Sequence, residues 1–180
     1  MDTIEHGPHK QTADEFKREL RRYVDERIDA LQIPTEHIDL LDARAVAGHM
    51  IASIPALHLH PYDEAAGPFY DSAGLEKWLG VSRQAINKRV HSGTLISARL
   101  GGGKHVYPAW QFMPNGQVYP ALLPAWLLLR KHSDAWTAIL WLSADDPELD
   151  GHSAADWLTS DRDPEPVYAA ARADVARWSA

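Results

Sequence analysis

The chain contains no cysteine among its 180 residues. That absence excludes disulfide scaffolds, Cys-ligated zinc, iron–sulfur clusters and thiol nucleophiles, and it fits a reducing compartment. A long hydrophobic run is missing as well. The most apolar stretch, Val118 to Leu129, is short and is interrupted by Pro120 and Pro124, so no transmembrane helix is expected. The start, Met1 to Lys10, carries Asp2 and Glu5 and no apolar stretch, which argues against an export signal. A cytoplasmic location is expected. An overall positive charge is also lacking: 18 Lys and Arg stand against 25 Asp and Glu, a formal charge of −7. A uniformly basic nucleic-acid coat is thereby ruled out, and a local basic patch is not. No repeat of fixed period and no low-complexity tract occurs. What is present is an ordinary globular composition, 45% apolar and 24% charged, which rules out a wholly disordered chain.

Three segments are expected: helices over 1–66, a compact reader over 67–112 and a helical region over 113–180. Residues 1–11 read as a loose polar arm. Thr12 to Glu15 has the spacing of a capping box, and Phe16, Leu20, Tyr23, Val24, Ile28 and Leu31 then recur at helical spacing. Pro34 is expected to end that helix. The opposite face, with Lys17, Arg18, Arg21, Arg22, Glu26 and Arg27, reads as solvated. A second helical stretch is expected from Leu41 to Ile54, and a turn-rich boundary from Pro61 to Pro68.

The central run from Leu75 to Val90 predicts a helix, a turn at Gly80 and a second helix. Gly80 suits the left-handed conformation that ends a helix, and Ser82 is placed to cap the next one. Leu75, Leu79, Ala85, Ile86 and Val90 form the expected core, with Val81 plugging the angle between the helices. That leaves Arg83, Gln84, Asn87, Lys88 and His91 on the open face. These residue types suit a DNA major groove, because Arg bonds both acceptors of guanine while Gln or Asn bonds adenine at two points. Ser82 and Lys88 are placed to hold phosphates at the positive helix end. A hairpin is expected next, from Ser97 to Leu100 and from His105 to Tyr107, with a cationic tip at Gly101 to Lys104. From Leu75 to Tyr107 six cations oppose Glu76 alone, a net +5 that leaves −12 for the rest of the chain. This segregation points to nucleic acid more strongly than the overall charge argues against it. Arg83, Gln84, Asn87, Lys88 and His91 are the candidate base-edge residues. Lys77, Arg89, Arg99, Lys104 and His105 are candidate phosphate or wing contacts.

Beyond the reader, Pro114-Asn115-Gly116 signals a tight turn, and two strongly apolar helices follow. One carries Trp126. The other is expected to be capped by Ser133 and carries Trp136 and Trp141. Apolar residues on more than one face mark deep burial or an interface. Ser153 and Asp156 have capping-box spacing, Asp163 is placed to cap a last helix, and Val167, Ala171, Val175 and Trp178 form its stripe. From Ser133 to Ala180 ten carboxylates face three arginines, a net −7. Such an end repels DNA and suits a basic protein partner. Trp126, Trp136, Trp141, Trp157, Val167 and Trp178 are the candidate partner-binding residues.

Two resemblances rest on these residues. Tyr70 to Phe112, through Leu79-Gly80-Val81-Ser82-Arg83-Gln84-Ala85-Ile86, resembles the winged helix-turn-helix of MerR and excisionase-type regulators. The C-terminal region, through Leu149-x-Gly151-x-Ser153 and Trp157-Leu158, resembles the toxin-binding domain of Xre/MbcA/ParS-type antitoxins. The first implies double-stranded DNA as a partner. The second implies a homodimer that neutralises a RES-domain toxin, an NAD-consuming enzyme. The expected fold class is mainly α: a winged helix-turn-helix with a small two-stranded wing, flanked by N-terminal helices and a C-terminal helical domain. The expected function is a bacterial DNA-binding antitoxin and autoregulator. A stand-alone dimeric transcription regulator is the alternative.

Other signals carry less. Gly101-Gly102-Gly103-Lys104 lacks phosphate-loop spacing, and His105 stands where Ser or Thr holds magnesium. His58 and His60 have no evident third ligand. Neither a Gly-x-Ser-x-Gly elbow nor a His-Glu-x-x-His motif occurs. Asp145 and Asp146, beside Pro147, read as a solvated loop. No catalytic residue, metal site or cofactor is expected.

Overall fold

The computed structural model describes residues 12–34, 38, 41–55 and 61–179. The expected polar arm at 1–11 and the His58 and His60 pair lie outside the described residues. The fold is mainly helical with small antiparallel sheets. Among the described residues, no helix is long and apolar enough to cross a membrane. Two compact units divide the chain, Met1–Ala45 and Val46–Ala180.

In the first unit, α1 (Ala13–Ala30) opens with the capping box in place. The Glu15 amide donates to Thr12 Oγ1 at 3.2 Å, and the Thr12 amide donates to Glu15 Oε2 at 2.7 Å. The Thr12 amide, and then the Thr12 hydroxyl that donates to the same oxygen at 2.8 Å, favour the ionised form and hold the Glu15 carboxyl below its ordinary range. The helix stops at Ala30, before Pro34, with Gln32 at φ +47°. No residue of α1 is buried, and Phe16, Tyr23, Ile28 and Leu31 of its apolar stripe are all exposed. The next helix, α2 (Ala43–Ala52), begins where the Asp42 carboxylate accepts from the Arg44 and Ala45 amides at 2.9 and 3.1 Å.

The second unit, which opens within α2, departs from expectation after that helix. Pro61 to Ala66 is a short helix, α3, rather than a turn. Proline presets the backbone of a first helical turn, and Asp63 and Glu64 there complement the helix dipole. Then come β1 (Phe69–Asp71), α4 (Ser72–Leu79), α5 (Arg83–His91), β2 (Ala98–Arg99) and β3 (His105–Pro108). The sheet has three strands in the order β1-β3-β2, not the expected two. β1 pairs antiparallel with β3, with Tyr70 opposite Tyr107. A strand of three residues carries too little alternation to be seen in sequence; its partner, 37 positions on, defines it.

Four further helices complete the unit: α6 (Leu122–His132), α7 (Ala135–Ser143), α8 (Ala154–Thr159) and α9 (Glu165–Trp178). The cap of α7 is Asp134, whose Oδ1 accepts from the Trp136 amide at 2.8 Å. Ser133, expected in that role, instead donates to the Leu129 carbonyl and closes α6. Asp145 and Asp146 are not loop residues: they form β4, paired with β5 (His152–Ser153). The Ser153 cap stands as expected, accepting from the Asp156 amide at 3.0 Å. Asp163 accepts from the Glu165 amide at 3.0 Å, but the cap position of α9 falls on Pro164, one residue later than expected.

Two apolar clusters hold this unit. Leu75 and Ile86 of the helix pair pack with Tyr70, Leu95, Tyr107, Phe112 and Val118. The larger cluster joins Phe69, Ile96, Ala98 and Val106 to Leu122, Trp126, Leu129, Ile139, Leu142, Leu158 and Val167. Residues of the expected reader (67–112) and of the expected C-terminal region (113–180) therefore share one core. Gln111 lies wholly buried at their junction. Its Oε1 accepts from the Ile96 amide at 2.8 Å, and its Nε2 donates to the Ile96 and Pro108 carbonyls, each at 2.9 Å. A buried side-chain amide is tolerated because the chain meets its polar groups this way.

Candidate nucleic-acid interface

The helix pair is built by local chemistry. Gly80 takes φ +63°, which costs a Cβ-bearing residue more than glycine, and its amide donates to the Glu76 carbonyl. Ser82 Oγ accepts from the Ala85 amide at 3.3 Å and caps α5. Ile86 turns inward and is the buried residue of α5. Arg83, Asn87 and His91 then fall in one row, four residues apart, on the outside.

That row faces the β2–β3 hairpin across an open cleft of about 520 Å³. Arg83, Asn87 and His91 line one side, and Arg99, Gly102, Gly103, Lys104 and His105 line the other. Asp71, Ser72 and Ala73, which the sequence did not single out, also line it. Asp71 accepts from the Gly74 amide at 2.7 Å and so serves as the cap of α4. Three fixed cations thus oppose one carboxylate that is already engaged. Arg83 also lies 3.8 Å from Glu76, but its side chain is 71% exposed, so solvent and salt weaken that pair.

The hairpin is pinned at its tip. The Leu100 amide donates to the Lys104 carbonyl at 2.9 Å, and the Gly103 amide to the Leu100 carbonyl at 2.8 Å. Across the strands Arg99 Nε donates to His105 Nε2 at 3.0 Å. Burial, and then the neighbouring Arg99 and His91, hold the His105 imidazole below its ordinary range. A neutral ring is also what an acceptor Nε2 requires. His91 Nδ1 lies 2.7 Å from the Asn87 carbonyl, which leaves its Nε2 for another partner.

The structure thus brings Arg83, Asn87, His91, Arg99, Lys104 and His105 together. Five of the expected residues lie outside the cleft. Gln84 and Lys88 are exposed on the adjacent row of α5, and Lys77 is exposed on α4. Arg89 is half-buried, with its carbonyl accepting from the Ser92 and Thr94 hydroxyls. Ser82 is exposed and engaged as the cap.

The expected partner-binding set does not form one surface. Trp126 and Val167 are buried in the chain's own core, a correction that follows from α6 and α9 packing on each other. Trp136 Nε1 donates to the Arg99 carbonyl, Trp141 Nε1 to Asp174 and Trp157 Nε1 to the Asp163 carbonyl, so all three indoles are held within the chain. Trp178 is 42% exposed. Among the described residues, no group of three or more His, Asp or Glu stands together as a metal site.

No protein-family model matches the chain, and no curated protein does. Among solved structures it is similar to the NMR structure of Rv2175c, at 25% identity with a TM-score of 0.47, over 70% of this chain and 87% of that one.

Proposed function

We propose that the chain is a transcription regulator that binds double-stranded DNA through a winged helix-turn-helix, with α5 as the reading helix and the β2–β3 hairpin as the wing. The observation that carries this reading is the convergence of Arg83, Asn87 and His91 with Arg99 and Lys104 around one open cleft. Gln84 and Lys88, exposed on the neighbouring row, extend the polar face of α5. In this reading α5 enters the major groove, where Arg83 and Gln84 suit guanine and adenine edges. Arg99 and Lys104 reach the phosphate backbone on the flank, and Lys77 reaches it from α4. Two copies on a palindromic site double the contacts of a single short helix.

The stand-alone regulator is favoured over the antitoxin. Two of the six residues that a toxin was expected to meet are in the core, and three more have their indole nitrogens engaged within the chain. The experiment is selection from random duplex DNA at moderate salt, beside an Arg83→Ala, Lys104→Ala double variant. An enriched palindrome that the variant fails to enrich is expected. Absence of enrichment by the native chain overturns the reading. Co-expression with a RES-domain toxin is expected to leave the toxin active.

A further inference from the structure

The hairpin is bonded to a residue distant from it in sequence. β2 is two residues long and is an edge of the sheet, so among the described residues no strand bonds the backbone on its outer side. Beyond it the tip is Gly101-Gly102-Gly103-Lys104, and a Cβ at Gly101, Gly102 or Gly103 would meet nothing within 4 Å. A glycine-rich tip in open space is held by few contacts, so its two internal hydrogen bonds and the strand residue it leaves from are what restrict it. The root residue is Arg99. Its carbonyl accepts from Trp136 Nε1 at 2.9 Å, across 37 positions of sequence.

Trp136 is itself fixed on several sides. Its amide donates to the Asp134 cap at 2.8 Å, which sets it in the first turn of α7. Its ring lies 4.3 Å from that of Tyr62 on α3 and meets Phe69 of β1 edge-on at 5.7 Å, centroid to centroid. The indole therefore reaches the hairpin root from a site built by three other elements. We infer that Trp136 is a positioning residue for the nucleic-acid interface: it clamps the root of the β2–β3 hairpin through the Arg99 carbonyl and so holds Arg99 and Lys104 over the cleft. This inference rests on the DNA-binding reading for its consequence, and on geometry alone for the clamp.

The test compares Trp136→Phe with the native chain. Phenylalanine keeps an aromatic ring against Tyr62 and Phe69 and removes the donor. Trp141→Phe is the control, because the Trp141 indole bonds Asp174 instead. Amide hydrogen exchange of Leu100 and Gly103 reads the clamp without DNA. Exchange roughly five- to tenfold faster in Trp136→Phe, and unchanged in Trp141→Phe, is expected for one hydrogen bond of ordinary net strength. Unchanged exchange in Trp136→Phe overturns the clamp, and so does equal acceleration in both variants, which would reflect general loosening. Binding to the selected duplex at several salt concentrations reads the consequence. Trp136→Phe is expected to weaken binding about three- to tenfold with a shallower salt slope, because fewer phosphates are held at once. Lys104→Ala is expected to add little further loss in that background. Native-like affinity and slope, with exchange accelerated, overturn the positioning role. If the native chain itself binds no duplex, the DNA reading falls, and the exchange result still decides the clamp.

Discussion

The helix pairs α4–α5 and α6–α7 use the same local device and end in opposite places. Each breaks at a short turn, and each restarts on a side-chain cap, Ser82 in one and Asp134 in the other. Yet α5 buries only Ile86, whereas α7 buries Ala138, Ile139 and Leu142. The difference lies in what surrounds the buried stripe. α5 keeps Arg83, Gln84, Asn87, Lys88 and His91 on its open face, where water or a polyanion must meet them. α7 presents Ala, Ile, Leu and Trp around most of its circumference, and it is covered by α3, α6, α8 and β2. A cap and a turn thus decide that a helix starts; the remaining side chains decide whether it becomes core or surface.

The sharpest way to break the comparison is to hollow each second helix. Leu142→Ala removes a fully buried side chain from α7 and is expected to lower the unfolding free energy by about 2–5 kcal/mol in denaturant titration. Lys88→Ala on the open face of α5 is expected to change it by less than about 0.5 kcal/mol. Comparable losses from the two would mean that the α5 face is buried too. Gln111→Leu is next. It strands the Ile96 amide and carbonyl in the interior, at an expected cost of about 1–3 kcal/mol. A neutral result by thermal melting would show that these backbone groups find other partners.

Arg83→Ala acts on binding rather than on folding. A loss of about 1–3 kcal/mol on the selected site, with little change on random duplex, is expected in competition titrations. Equal losses on both would move Arg83 from the base-reading row to the phosphate contacts. The smallest effect concerns His105. Its folded pKa is depressed, so as pH falls the unfolded chain takes up a proton first. The stabilisation from the neutral ring is complete above the ordinary imidazole pKa and is lost as pH falls through the depressed folded value. Hairpin amide protection should therefore decline on the acid side, and His105→Gln should flatten that decline. An unchanged pH profile in the variant would remove His105 as its source.

The helix pair α4–α5 was legible because its instructions are local. A glycine in the left-handed conformation, a serine two residues later and a single inward apolar row act within one or two turns of chain. The charged tip of the hairpin was legible for the same reason. What escaped reading depends on distant partners. β1 is a strand because Tyr70 lies opposite Tyr107. Gln111 looked like an ordinary polar residue between Trp110 and Phe112, although a lone amide in an apolar run is itself a sign of buried hydrogen bonding. Asp71, Ser72 and Ala73 join the cleft only once α4 is set against the hairpin. The aromatic residues after Trp110 misled because an apolar stripe looks the same whether it meets the chain's own core or another protein.

Sequence alone determined where α1, α5 and α8 begin, through the Thr12, Ser82 and Ser153 caps, whose hydrogen bonds span a few residues. It also determined the charge segregation that sets the +5 segment from Leu75 to Tyr107 apart from the acidic end. Tertiary structure alone decided which apolar stripes are covered. Val167, Ala171 and Val175 of α9, which packs on α6, are buried, while Phe16, Tyr23, Ile28 and Leu31 of the α1 stripe remain exposed, although both stripes carry helical periodicity. It alone joined Trp136 to Arg99 and so linked a C-terminal helix to the hairpin. The physical reason is range: capping and dipole effects fade within a turn, whereas burial and long-range hydrogen bonds depend on which surfaces the folded chain brings together.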